Sequence, residues 1–131
     1  MIFVDHISLM VSDVNRTERF YTRILGNPIR QTKNSVAYDA GDTKIFFKTP
    51  YDNTSMAANK DQAGMMNHFA IGCETEEEFG YFKERMDETG IAYSEVKADP
   101  HSGKRYIWLN DPDGFRVEFI LRGLDKRLVT L

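Results

Sequence analysis

Of the 131 residues only one, Cys73, is a cysteine. That excludes an intramolecular disulfide and suits a reducing compartment. Positive charge is not in excess either: 17 Lys and Arg stand against 20 Asp and Glu, for a net charge of −3 and a pI near 5.6. Nucleic-acid binding needs a basic footprint on the protein, and a polybasic segment for an anionic membrane is missing as well. No apolar run approaches the ~18 residues of a membrane span. The opening MIFVDHISLMV has no basic n-region and carries Asp5 and His6 within its apolar stretch, so it does not read as a leader. A cytoplasmic single domain is expected, with no nucleic-acid and no membrane partner. Hydrophobic residues at 41% and charged residues at 28% are a globular composition, and a chain of this length buries roughly two-thirds of its unfolded surface.

What is present is an internal repeat. HISLMVSDVNRTERFYTRILGNPI, from His6, and HFAIGCETEEEFGYFKERMDETGIAY, from His68, each open on a histidine and a short apolar strand. Each then enters a helix and leaves it at a glycine, Gly26 or Gly90. In the second helix Thr75 and Glu78 form a capping box, and Phe79, Phe82 and Met86 recur at helical spacing. In the first, Asp13 or Asn15 is the candidate cap, Phe20, Tyr21, Ile24 and Leu25 face inward, and Gly26 suits a left-handed terminal position before Pro28. Strands are predicted over Ile29–Thr32, Ser35–Ala40 and Thr43–Thr49, and again over Tyr93–Lys97, Arg105–Leu109 and Phe115–Leu121. Asp111-Pro112-Asp113-Gly114 is a tight turn. Pro50–Met66 is polar and turn-rich and reads as a linker. The pattern is βαβββ twice over, an α+β fold: a first module to about residue 50, a linker over about 51–66, a second module over 67–122, and a tail over 123–131.

Two of the three histidines, His6 and His68, hold the same repeat position. In the last strand Glu118 alternates with Val117 and Phe119, so it lies on the other face. A carboxylate in an apolar strand is costly to bury unless it is paired or binds a metal. Taken singly, each of the three residues reads as a satisfied strand histidine or a solvent-facing acid. Taken together, at matching positions, two imidazoles and a carboxylate form a facial triad with open positions for water, substrate or oxygen.

HISLMVSDVNRTERFYTRILG, NHFAIG and NDPDGFRVEFI together resemble the vicinal oxygen chelate superfamily of glyoxalase, bleomycin-resistance and extradiol dioxygenase proteins, over essentially the whole chain. The resemblance implies two βαβββ modules related by a pseudo-twofold, forming a partly open cup around one divalent ion (Mn, Zn, Fe or Ni) held by His6, His68 and Glu118. It implies a small-molecule substrate and a homodimer. Phe46 stands where glyoxalase I enzymes carry a further metal-binding acid, so glyoxalase I activity is not expected. The tail beyond Glu118 is similar to that of the fosfomycin-resistance enzymes, in which an arginine holds the phosphonate; the matching residue is Arg127, nine positions on. A surface Lys-Arg pair explains the same residues without a substrate. Ser8 and Tyr38 match pocket residues of that group. Tyr106 and Trp108 share a strand face and read as an aromatic substrate wall or as core. His101 reads as a solvated loop residue and Cys73 as a small buried hydrophobe.

The expected function is a metal-dependent lyase or transferase whose ion acts as a Lewis acid on a small, oxygen-rich, anionic substrate. The alternatives are an Fe(II) extradiol dioxygenase and, in another class, a metal-free drug-binding protein of the bleomycin-resistance kind.

Overall fold

The computed structural model describes residues 2–50, 61 and 63–123. Its elements run β1 (His6–Met10), α1 (Val14–Leu25), β2 (Arg30–Gln31), β3 (Ser35–Ala40) and β4 (Thr43–Lys48). They continue as β5 (Phe69–Cys73), α2 (Glu76–Thr89), β6 (Lys97–Ala98), β7 (Arg105–Asn110) and β8 (Arg116–Leu121). The strands form two four-stranded sheets of identical order, β1-β4-β3-β2 and β5-β8-β7-β6. In each, the first strand lies parallel to the last and the other pairings are antiparallel. The βαβββ repeat read from the sequence is thus the repeat of the fold.

Two compact units result. One takes in β1 to β4, α1 and the turn Asp111–Gly114; the other takes in β5 to β8 and α2. In the first, the Asp13 carboxylate caps α1 by accepting from the N–H groups of Asn15 and Arg16, which settles the choice of cap. The buried stripe of α1 is Val14, Thr17, Tyr21 and Ile24, whereas Phe20 and Leu25 are only half-buried. Tyr21 stacks on Phe47 with ring centroids 4.3 Å apart, and Tyr38 packs edge-on to Phe47. In the second unit Phe79 and Met86 of α2 are buried, and Phe82 lies 4.6 Å from Phe119. Each such large apolar side chain contributes about 1.5–3 kcal/mol when fully buried.

Both halves of the Thr75–Glu78 capping box are present, and Gly90 is left-handed as a helix end requires. Gly26 differs from expectation: its φ is 87° but its ψ is −169°, the extended positive-φ region open essentially to glycine alone. The strand predicted over Tyr93–Lys97 is displaced to Lys97–Ala98. Ser94 still donates its N–H to the Trp108 carbonyl, but its hydroxyl takes the Trp108 N–H, a donor that a regular ladder would direct to a backbone carbonyl, so the regular strand starts only beyond it. The predicted linker lies largely outside the described residues.

The Asp-Pro-Asp-Gly turn does more than reverse the chain. Asp111 accepts from the Tyr21 hydroxyl at 2.6 Å. Asp113 accepts from the Ser12 N–H and hydroxyl and from Arg16. Desolvation and the nearby Asp111 carboxylate hold the Tyr21 phenol well above its usual pKa.

Candidate functional site

Register builds the site one residue at a time. In the second sheet Trp108 lies opposite Glu118, Asn110 opposite Arg116 and Tyr106 opposite Ile120, while Ala70 pairs with Glu118 on the other side. Strand alternation therefore puts Tyr106, Trp108, Arg116 and Glu118 on one face. Val117 and Phe119 take the other face and are buried. His68, just before β5, reaches this same face: its Nε2 is 2.8 Å from Glu118 Oε2. The Glu118 side chain is 14% exposed, and its second oxygen, Oε1, accepts from Arg116 Nη2 at 3.1 Å. Arg116 in turn lies over the Trp108 ring, 4.7 Å from its centroid. Arg116 was not singled out from the sequence, although its two-residue spacing from Glu118 is the signal that finds it.

The first sheet repeats the layout with different chemistry. Ser8 pairs with Phe46 as Ala70 pairs with Glu118, so Phe46 occupies the register position of the acid. Its ring sits edge-on to His6 at 5.5 Å. Ser8, two residues from His6, shares that exposed face. Tyr38 does not. It lies among Tyr21 and Phe47 in the core, its hydroxyl bonded to Thr22 and to the Glu18 carbonyl, and burial pushes its pKa up to about 12. The reason is parity: Tyr38 pairs with Ile45 rather than with Phe46, which turns it to the helix side. Arg127 lies outside the described residues.

The two histidines are held alike. His6 Nδ1 is 2.7 Å from Asp5 Oδ2, and His68 Nδ1 is 2.6 Å from Asn67 Oδ1. In each case the residue before the histidine accepts from Nδ1, which leaves Nε2 as the nitrogen with the lone pair. For His68 this has a further consequence. With the proton on Nδ1, the Nε2 lone pair faces a carboxylate oxygen, an arrangement that is stable only with a cation between them or a second proton on the ring. The 2.8 Å separation is that of a hydrogen bond, and an imidazole nitrogen beside a carboxylate oxygen is a donor pair that divalent ions take. The His68–Glu118 pair therefore fits a metal ion. His6 belongs to the first unit, and among the described residues no group of three or more His, Cys, Asp and Glu side chains gathers closely enough to hold one.

Other candidates are accounted for locally. Arg105 is paired with Glu76. Cys73 is 1% exposed, and burial, with Glu78 nearby, pushes its thiol up to about 11. An acidic recess at the start of α2 is lined by Glu76, Glu77, Glu78, Tyr81 and Phe82, but first-turn acids are what a helix N-terminus favours. No helix among the described residues is long and apolar enough to cross a membrane.

Residues 3–119 match the family model of the Glyoxalase/Bleomycin resistance protein/Dioxygenase superfamily. The chain belongs to this superfamily. Within it, the chain is similar to a trivalent organoarsenical cleaving enzyme of Bacillus sp. (strain MD1), at 27% identity over 87% of this chain and 70% of the relative. It is also similar to the glutathione transferase FosA of Serratia marcescens, at 26% identity over 95% of this chain and 84% of the relative. Among solved structures, a glyoxylase/bleomycin resistance protein/dioxygenase domain from Frankia sp. EAN1pec superposes with a TM-score of 0.74 at 20% identity, covering 92% of this chain and 98% of that one. A lactoylglutathione lyase from Agrobacterium tumefaciens gives 0.69 at 19%, covering 92% and 93%. These two likenesses establish the fold: paired βαβββ modules of the glyoxalase type.

Proposed function

We propose that the chain is a metal-dependent enzyme in which His6, His68 and Glu118 hold one divalent ion and a small anionic, oxygen-rich molecule is the substrate. The observation that carries this reading is the approach of His68 Nε2 to Glu118 Oε2 at 2.8 Å on a largely shielded carboxylate. The ion would supply Lewis acidity toward a substrate oxygen.

The chain's own residues divide the remaining work. Asp5 and Asn67 keep both imidazoles in the tautomer that presents Nε2. Trp108 and Tyr106 form an aromatic wall beside Glu118. Ser8 and Arg127 orient the anionic end of the substrate, the arginine by gripping two oxygens at once. Phe46 can neither ligate a metal nor carry a proton, which speaks against glyoxalase I chemistry.

Of the two relatives, the glutathione transferase is the better guide to substrate. Trivalent arsenic is a soft centre that thiolates bind best, and the single cysteine here is buried with its thiol held protonated. A thiol adding to an anionic epoxide fits the donor set instead: the sulfur–carbon bond forms, the carbon–oxygen bond opens, and the thiol proton ends on the new hydroxyl.

The test is a Mn²⁺-loaded full chain given a small phosphonate epoxide and glutathione, with the adduct followed by mass spectrometry. An adduct that disappears on chelation and in Glu118→Ala supports the proposal. A metal-loaded chain that forms none contradicts the transferase branch. Cleavage of a catechol with Fe²⁺ instead would move the assignment to the extradiol branch.

A further inference from the structure

Arg116 is held on a defined path. Its guanidinium carbon is 4.7 Å from the Trp108 ring centroid, its Nη2 donates to Glu118 Oε1, and its side chain is 23% exposed. Its Nε is buried and meets no acceptor among the described residues. The side chain is thus not arranged to satisfy its own donors. Trp108 and Glu118 fix where it lies.

The outcome is a division of the Glu118 carboxylate. Oε1 is taken by Arg116, and Oε2 alone faces His68. The first unit has no counterpart: Lys44 and Phe46 stand at the register positions of Arg116 and Glu118, and Lys44 pairs with Asp39 instead.

We propose that Arg116, braced by Trp108, is a positioning residue that reserves Oε1 and presents Oε2 as the single carboxylate donor to the divalent ion. This rests on the metal-binding reading of His68 and Glu118. It has a consequence for the reaction, since a carboxylate that gives one oxygen leaves a further position of the ion to substrate. It also separates two effects of opposite sign. As a charge, Arg116 repels an incoming cation and weakens its binding. As a clamp, it fixes the ligand and strengthens binding.

The experiment titrates the full chain with Mn²⁺ alone, reading free ion by its paramagnetic resonance signal, for wild type, Arg116→Met and Arg116→Lys. Thermal unfolding checks that each variant folds. The proposal expects Arg116→Met to weaken Mn²⁺ binding about tenfold or more, the range for loss of a group that orients a ligand. Arg116→Lys, which can still donate to Oε1, should stay within about threefold of wild type. An Arg116→Met affinity equal to or tighter than wild type overturns the proposal and leaves the metal reading standing. If Arg116→Met does not fold, Trp108→Leu removes the brace and should weaken binding in the same direction; unchanged affinity there overturns it equally. A folded wild-type chain that takes up no Mn²⁺ brings down the metal reading itself, and this one with it.

Discussion

The Asp111 carboxylate, only 5% exposed, accepts from the Tyr21 hydroxyl on one oxygen and from the Asp113 N–H on the other. Removing one partner of a buried hydrogen bond leaves the other to bear its desolvation, at about 1–3 kcal/mol. Tyr21→Phe should therefore lower the unfolding free energy by that amount in a urea titration. The raised pKa values of Tyr21 and Tyr38 give a pH dependence as well. Unfolded tyrosine loses its proton near pH 10. Because the folded values are higher, the stability these phenols contribute is complete below about pH 10 and is lost as pH rises through the folded pKa. Stability of the wild type should fall between about pH 10 and 12, and less steeply in Tyr21→Phe. At this scale the face that Glu118 takes, away from Val117 and Phe119, was legible from alternation. Tyr38 was not, because its face depends on how β3 pairs with β4. Arg116 was legible in principle, by counting two residues back from the acid.

Elements were read best where their ends carry chemistry. Thr75 and Glu78 both act as the capping box demands, and Thr75→Ala should cost about 1 kcal/mol of stability, seen as a lowered midpoint in the same urea titration. Gly90 holds a left-handed conformation that other residues enter only at a cost, so Gly90→Ala should destabilise by about 1–2 kcal/mol. The strands β3 and β4 fall where apolar alternation put them, to within a residue. The β6 segment escaped because a side chain, the Ser94 hydroxyl, replaces a backbone acceptor. Side-chain competition for a ladder donor leaves no periodic trace in sequence.

For the whole molecule, the histidine-to-histidine repeat was sufficient to give the doubled βαβββ topology, since each module must bury one face of its sheet under its own helix. The role of the Asp-Pro-Asp-Gly turn was not readable. As a local motif it predicts only a reversal, whereas its two aspartates bind Ser12, Arg16 and Tyr21, about a hundred residues earlier in the chain. Metal binding should also show at this scale. An ion bound only by the folded chain stabilises it by about 2.7 kcal/mol at a hundred times its Kd, so chelation should lower the melting temperature and added Mn²⁺ restore it. The central claim is tested most directly by elemental analysis of wild-type protein and His68→Ala purified side by side. About one divalent ion per chain in wild type, lost in the variant, is the predicted result. A wild-type chain that neither retains a divalent ion nor takes one up would contradict the metal site and the enzyme built on it.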